Sequence, residues 1–245
     1  MAAPPYRRRL VGFSTKMYFT PARTLTYHKA LTRLLPTPPP NADIFLAADF
    51  LSLPLLPTNP LLLAAQNCAP EDAGAFTGEV SPLSLAQLGV RIVELGHAER
   101  RRSFHETEDV VVSKARAVVR NGMIPLICVG EERQVTPGEA VRECTPLLKR
   151  LVETLGEEGE LAVAYEPIWA IGAQEPAEEG YVREVVQGLR KVVGKRVRIL
   201  YGGRAKEGLW GRLEEEGGVD GLFLGRFAHQ VESFVRIVKE VTGEA

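Results

Sequence analysis

Eight short apolar runs recur along the chain, and each is followed by a polar loop and a segment with helical spacing of its apolar residues. Runs of this length, rich in β-branched residues, predict strands that are buried on both faces. The candidate strands are Leu10–Ser14, Asp43–Ala47, Leu61–Gln66, Arg91–Leu95, Met123–Val129, Leu161–Tyr165, Arg198–Tyr201 and Gly221–Gly225. Strict strand–helix alternation predicts a parallel sheet covered by helices.

The helices between the strands have visible start signals. Thr20 and Ser81 each stand before a proline, which places a capping hydroxyl ahead of proline at the first helical position. Thr107 and Thr136 give similar signals, and Thr136 again precedes a proline. Valine and leucine at three- and four-residue spacing after these last two residues predict one inward-facing stripe per helix.

The closure of the sheet is not decided by periodicity, because right-handed crossovers fit an open doubly wound sheet as well as a closed barrel. The count of eight units favours the barrel. The proline-rich stretch Pro36–Pro40 lies too early and is too short to separate two domains. We therefore predict a single-domain α/β protein, a (β/α)₈ barrel over residues 1–245.

Charge and hydropathy limit the partners. Lysine and arginine total 30 against 31 acidic residues, so there is no positive excess to bind nucleic acid or an anionic membrane. No apolar stretch approaches the roughly 20 residues that span a bilayer, and the apolar run after Arg7–Arg9 is too short for a signal-peptide core. The separated Cys68, Cys128 and Cys144 fit reduced core thiols. We expect a cytoplasmic protein.

Polar residues follow several of the strands. The carboxyl ends of barrel strands form one rim, and active sites lie there. The residues that the sequence places on this rim are Ser14, Lys16, Gln66-Asn67, His97, Glu99, Glu166, Gly202-Gly203-Arg204 and Gly225-Arg226. A single residue of this kind is more often structural or solvated than catalytic. The location of all these residues on the same rim, however, indicates a catalytic site.

Five motifs in chain order carry a resemblance to a known family. They are Gln66-Asn67-Cys68, Gly-Ala-Phe-Thr-Gly-Glu at 74–79, Leu-Gly-His-Ala-Glu-Arg-Arg at 95–101, Tyr-Glu-Pro-Ile-Trp-Ala-Ile-Gly at 165–172, and Tyr201-Gly202-Gly203. From about Leu10 to the last helix the chain resembles triosephosphate isomerase. The resemblance implies a TIM barrel that interconverts glyceraldehyde 3-phosphate and dihydroxyacetone phosphate through an enediolate, with no cofactor and no metal.

The resemblance also implies a role for each catalytic residue. Glu166 would be the base, with a pKa raised by the apolar Ile171 and Phe223. His97 would be a neutral electrophile, as is known for this family. Lys16 would stabilise negative charge and Glu99 would hold it in place. The remaining histidines, His28, His105 and His229, match no catalytic motif and are expected on the surface or in helices.

The chain departs from the family around the substrate. Ser14 stands where the family has asparagine two residues before the lysine. The lid that begins at Ile171 reads Ala173, Gln174, Glu175, Pro176 and Ala177 where the family continues with threonine, glycine and lysine. Tyr201 and Ala177 remain as the family's closed-lid hydrogen-bond pair, whereas a second latch has lost both partners to Arg204 and Gln174.

The phosphate grip, meaning the groups that bind the substrate phosphate, also departs from the family. The resemblance assigns it to backbone N–H groups, here those of Gly172, Arg204, Gly225 and Arg226, which do not depend on the side chain. Arg204 and Arg226 replace a serine and a glycine of the family. Either both arginines face solvent, or one adds a charge-assisted bond to the phosphate or to an extra substrate hydroxyl.

These departures resemble a branch of the family that acts on four-carbon sugar phosphates such as L-erythrulose 1-phosphate. Three functions stay open: a triosephosphate isomerase, a sister isomerase for a longer sugar phosphate, and a non-catalytic barrel. The first is the main prediction, and the four catalytic residues disfavour the third. In the family, the loop that here contains Thr77 inserts into a second subunit, so we expect a homodimer.

Overall fold

Eight parallel strands close into one barrel in chain order, and β8 pairs with β1. This computed structural model describes residues 9–156, 159–171, 175–203, 205–214 and 218–244. The strands are β1 Arg9–Ser14, β2 Ala42–Ala48, β3 Leu62–Ala65, β4 Val90–Leu95, β5 Ile124–Val129, β6 Ala162–Tyr165, β7 Arg198–Tyr201 and β8 Gly221–Leu224. The predicted closed barrel is confirmed, and each predicted strand end either matches the observed one or differs from it by one residue.

Helices surround the barrel. Their bounds are α1 Pro21–Leu34, α2 Pro82–Gln87, α3 Ala98–Phe104, α4 Glu108–Arg120, α5 Pro137–Leu155, α6 Glu179–Val193, α7 Trp210–Glu214 and α8 Val231–Thr242. Short 3₁₀ turns cover Leu53–Leu55, Ile168–Ala170 and Arg226–His229. The last two turns directly follow the ends of β6 and β8, so both lie on the catalytic rim.

The predicted helix caps are confirmed. The side chains of Thr20, Ser81, Thr107 and Thr136 each accept a hydrogen bond from the backbone N–H three residues later. At Thr136 the carboxylate three residues on also accepts from the cap N–H, which completes a capping box. These caps set the residue at which each helix begins.

Alternate strand residues point to the barrel interior and to the surrounding helices, as the pleat requires. The interior is filled by a cluster that includes Phe45 and Phe223, whose rings stack with centroids 5.6 Å apart. Gly12 makes room for Phe45, because a Cβ there would lie 2.3 Å from the ring. The interior is therefore a packed core, and the open space lies above it at the rim.

The three cysteines are buried and unpaired, as predicted. His105 is exposed and ends α3 with a left-handed φ of 54°. His28 is a helix residue, as predicted, and lies on the buried face of α1. In the part of the chain that the structure describes, no helix has both the length and the apolar character needed to cross a bilayer.

Candidate active site

A pocket of about 600 Å³ opens at the carboxyl ends of the strands. Residues at or after the carboxyl ends of β1, β4, β6, β7 and β8 line it, and they include Ser14, Lys16, His97, Glu99, Glu166, Ile171, Gly202, Phe223, Gly225 and Arg226. The structure thus brings the predicted base, imidazole and ammonium to one cavity, together with the two apolar residues that were expected to bury the base.

Lys16 lies at the mouth of β1 and pairs with Glu99, with Nζ 2.7 Å from Oε1. Its backbone has a φ of 46°, a left-handed conformation that is costly for a residue other than glycine and is found mostly at functional sites. Burial alone would lower the pKa of Lys16, but the hydrogen bond and charge of Glu99 outweigh it and raise that pKa. The ammonium is therefore charged and fixed in position.

His97 lies two residues after the end of β4 and caps the N-terminus of α3. Its Nδ1 accepts a hydrogen bond from the backbone N–H of Glu99 at 3.1 Å, so the ring proton resides on Nε2. Burial, with the positive charge of Lys16, lowers the pKa of His97 to about 4. The imidazole is therefore neutral near pH 7 and presents an N–H donor.

Glu166 directly follows β6 and is buried, with Oε2 3.7 Å from Nε2 of His97. Burial, together with the charge of Glu94, raises the pKa of Glu166 to about 8. The carboxylate is held against Gly202, where a Cβ would lie 2.3 Å from its Cγ. A basic carboxylate in an apolar setting is suited to taking a proton from carbon.

These three groups together can move a proton between neighbouring carbons. A carboxylate base removes the proton, a neutral N–H donor polarises a carbonyl oxygen, and a fixed ammonium stabilises the negative charge that develops. All three line the same pocket. The site is therefore suited to enolisation of a carbonyl compound.

The lid is partly described. The hydroxyl of Tyr201 accepts a hydrogen bond from the Ala177 N–H at 3.3 Å, so the predicted pair is formed. Nζ of Lys206 lies 2.7 Å from Oε2 of Glu175, which ties the lid to the loop after β7. Pro176 stands between these two tethers. The predicted lid and phosphate residues Gly172, Ala173, Gln174 and Arg204 lie outside the described residues.

A buried carboxylate anchors the first end of the lid. Glu131 accepts hydrogen bonds from Trp169 Nε1 at 2.7 Å, from the Tyr181 hydroxyl at 2.8 Å and from the Tyr165 hydroxyl at 3.1 Å. The sequence analysis did not single out Glu131. No local signal marks it, because its three donors are brought together only by the packing of β6 and α6 beside β5.

The phosphate side of the pocket follows β8. Gly225 caps the 3₁₀ turn that begins at Arg226, and both residues line the pocket. His229 ends this turn; it was expected on the surface or in a helix, but it is half-buried, with Nε2 3.3 Å from the carbonyl oxygen of Ser14. The turn thus links the predicted phosphate grip to the end of β1.

Two further residues at the site were missed. Lys206 lines the pocket beyond the Tyr-Gly-Gly motif. Glu94 is buried below the catalytic residues on β4, and its position as the charged residue inside an apolar strand was a signal that could have been used. Thr77, predicted at the dimer contact, lies in an exposed loop beside Phe76.

Comparison with known proteins agrees with this geometry. The sequence profile of the family described as triosephosphate isomerase matches residues 9–241. An L-erythrulose-1-phosphate isomerase of Pectobacterium atrosepticum is 39% identical over 96% of both chains, and one of Rhizobium etli is 37% identical over 95% of this chain and 92% of its own. A triosephosphate isomerase of Lactiplantibacillus plantarum is 35% identical over 95% of this chain and 98% of its own. The chain belongs to the triosephosphate isomerase family and is an isomerase of that family.

Proposed function

We propose that this isomerase acts on a four-carbon sugar phosphate of the L-erythrulose 1-phosphate type. The observation that carries the proposal is the composition of the pocket lining. The residues of proton transfer, Lys16, His97 and Glu166, all line the pocket, while two of the other lining residues, Ser14 and Arg226, depart from the family. Retained proton-transfer residues beside altered neighbours fit the same chemistry on a different substrate.

The reaction follows from the chemistry of the side chains. We number the carbons from the phosphate-bearing C1, which places the carbonyl at C2. Glu166 takes the proton from C3, and the Nε2–H of His97 donates to the oxygen on C2 as the enediolate forms. This step breaks the C–H bond at C3. Glu166 then delivers the proton to C2 and forms a C–H bond there, while the hydroxyl proton moves from the C3 oxygen to the C2 oxygen. Lys16 stabilises the charge in between.

The product differs between the two substrate lengths. In dihydroxyacetone phosphate C3 is the terminal carbon, so the carbonyl shift gives an aldehyde. In L-erythrulose 1-phosphate C3 carries a further hydroxymethyl group, so the same shift gives a second ketose. The proposed reaction thus interconverts two ketose phosphates and uses the same proton transfers as the three-carbon reaction.

Two observations favour the longer substrate. Arg226 brings an exposed guanidinium to the pocket lining, and guanidinium geometry suits both phosphate and hydroxyl oxygens. Relatives named L-erythrulose-1-phosphate isomerase share 39%, 37% and 36% of residues with this chain. Relatives named triosephosphate isomerase share 35% and 34% of residues with this chain. The triosephosphate isomerase reaction, which was the main prediction from the sequence, is therefore the second candidate function.

A substrate panel tests the proposal. Values of kcat/KM are measured for L-erythrulose 1-phosphate, dihydroxyacetone phosphate and glyceraldehyde 3-phosphate under one condition, and exchange of the C3 proton in deuterated water is followed by NMR. We expect the four-carbon ketose to have the highest kcat/KM and to exchange at C3. A higher kcat/KM for either three-carbon substrate would assign the protein as a triosephosphate isomerase.

We further propose that the protein works as a homodimer. The loop over residues 74–79 is exposed, and its Phe76 is 46% accessible in the single chain. Met17, next to the catalytic lysine, is 97% exposed. Exposed apolar side chains on two loops fit a surface that a second subunit covers.

A further inference from the structure

His229 stands where the pairing between β1 and β8 ends. The Leu10 N–H donates to the carbonyl of the residue just before β8. Residues of a parallel strand bond alternately to the strands on either side, so Ser14, an even number of positions after Leu10, also faces β8. The two strands keep one register up to Leu224, the last residue of β8. One more step of this ladder would bring the Arg226 N–H to the Ser14 carbonyl.

The backbone leaves the ladder at that step. After Gly225 the chain enters the 3₁₀ turn Arg226–His229, so the Arg226 N–H begins a turn instead of extending β8. Ser14 is buried, and a buried carbonyl without a donor is costly. The side chain of His229 takes the place of the strand, with Nε2 3.3 Å from the Ser14 carbonyl oxygen.

The contacts of His229 fix both its proton and its orientation. A carbonyl oxygen only accepts, so Nε2 carries the ring proton and donates it. Burial lowers the pKa of His229, so the ring is neutral near pH 7. Its centroid lies 4.9 Å from that of Phe19 and 5.5 Å from that of Tyr18, and both contacts are edge to face. His229 therefore packs on the same stretch of chain to which it donates.

This stretch carries the catalytic ammonium on a strained backbone. Lys16 has a φ of 46°, and a strained residue persists only where its surroundings hold it. On the β2 side, the Thr15 N–H donates to a carbonyl of that strand at 2.9 Å, and Gln66 Nε2 donates to the Lys16 carbonyl at 3.2 Å. On the β8 side, the bond from His229 holds the Ser14 carbonyl. The backbone that directs the ammonium is thus fixed from both sides.

We propose that His229 is a positioning residue for Lys16. By donating to the Ser14 carbonyl, it holds the β8 side of the backbone from which the ammonium reaches the substrate. In the part of the chain that the structure describes, the pocket lining includes Lys16 but not His229, so His229 acts through the backbone. This inference rests on the proposed function only for the role given to Lys16, and it applies to a substrate of either length.

Two variants of His229 separate the hydrogen bond from the packing. His229→Phe keeps a ring and removes the donor, whereas His229→Gln removes the ring and keeps an N–H near the position of Nε2. Both are assayed with the substrate for which the wild type has the highest kcat/KM. His229→Phe should lower kcat roughly three- to tenfold, as for the loss of one hydrogen bond. KM should be nearly unchanged, because Lys16 acts on charge that develops in the transition state.

His229→Gln should keep kcat within about twofold of the wild type, because the donor to Ser14 is retained. A larger loss of kcat in His229→Gln than in His229→Phe would mean that ring packing and not the hydrogen bond matters, and the inference would be wrong. His229→Leu, which also lacks a donor, replaces His229→Phe if that variant does not fold.

The matched control is Tyr27→Phe. The Tyr27 hydroxyl donates to the Ala228 carbonyl in the same turn at 2.5 Å, and its ring packs against Phe19. The control therefore removes one side-chain hydrogen bond from this turn and leaves the bond to Ser14 in place. Its kcat should equal that of the wild type. An equal loss of kcat in Tyr27→Phe and His229→Phe would indicate a general structural role of the turn and would contradict the inference.

A spectroscopic readout follows Lys16 without catalysis. The backbone amide resonance of Lys16 is observed by NMR in protein with isotope-labelled lysine, and it is assigned by its loss in Lys16→Arg. This resonance should shift in His229→Phe and stay in place in His229→Gln and Tyr27→Phe. The amide of Lys149, which is exposed on α5, is the internal reference and should not move in any variant.

The outcomes separate this inference from the proposed function. If the wild type prefers a three-carbon substrate, the four-carbon proposal is wrong, and the same variants are assayed on that substrate. If His229→Phe keeps both the kcat and the Lys16 resonance of the wild type, the inference is wrong and the proposed function stands. If Lys16→Met keeps the kcat of the wild type, Lys16 is not catalytic and the role of His229 falls with it.

Discussion

The titration of Glu166 sets the pH range in which the site can work. Glu166 must be ionised to act as a base, and its pKa is raised to about 8 by burial and by Glu94. We therefore expect kcat/KM to fall as the pH is lowered below about 8, well above the ordinary carboxyl range. A pH profile of kcat/KM checks this. An acidic limb near pH 4 would show that the free enzyme holds Glu166 in a more polar setting.

The same shift has a consequence for folding. The folded pKa lies above the unfolded one, so this group favours folding most at low pH, and that contribution is lost as the pH rises toward the folded pKa. Glu166→Gln cannot ionise. Its free energy of unfolding should match that of the wild type near pH 4 and exceed it increasingly toward pH 8, as measured by urea denaturation at each pH. Equal stabilities across the range would contradict the raised pKa.

Arg226 gives a further prediction at the residue scale. Arg226→Gly should lower the preference for L-erythrulose 1-phosphate over glyceraldehyde 3-phosphate roughly ten- to a hundredfold if the guanidinium contacts the larger substrate. Arg133→Gly is the control, since Arg133 is exposed and does not line the pocket. An unchanged ratio in Arg226→Gly would mean that this side chain faces solvent in the complex.

At the scale of elements, the lid has an ionic tether. Lys206→Met and Glu175→Gln should each lower kcat/KM by up to about fivefold, and the double variant by no more, because both partners are partly exposed and such pairs are weak. The effect should vanish at high salt. Arg150→Met, which breaks the Arg150–Asp109 pair between α5 and α4, away from the lid, is the control. Additive losses in the double variant would show that the two residues act separately.

The elements also show what the sequence could predict. Hydroxyl caps such as Thr136 and apolar runs such as Arg198–Tyr201 are local signals, and they gave the helix starts and strand positions correctly. Closure of the barrel depends on the pairing of β8 with β1, which no local signal carries, so it was indicated only by the count of units and by the family resemblance. The anchoring of Trp169 by Glu131 is likewise a product of tertiary packing.

Those residues of the candidate site that the family resemblance covers could be predicted from the sequence. His97 and Glu166 stand in motifs that resemble the family, the same resemblance assigns a role to Lys16, and all three meet at the pocket as expected. Glu94 stands next to such a motif but was taken as part of an apolar strand. Its significance depends on which face of β4 points inward, and the register of the strand determines that.

At the scale of the whole molecule, association should support activity. Thr77→Arg places a charge in the exposed loop over 74–79, and a charge that must be desolvated at a packed contact is costly. We expect the variant to be more monomeric by light scattering and less active at the same concentration. Gln187→Arg, which adds the same charge on the exposed face of α6, should change neither property. A fully active dimer of Thr77→Arg would place the interface elsewhere.

The contact between Gly202 and Glu166 bears on how active members of this family are recognised in genomes. A methyl group at position 202 would overlap the base, so Gly202→Ala would retain every reacting group and still displace the carboxylate. A chain can thus carry the catalytic lysine, histidine and glutamate and still be inactive as an enzyme. A survey for working enzymes should require this empty space as well as the three side chains, because the missing atom is as diagnostic as those that are present.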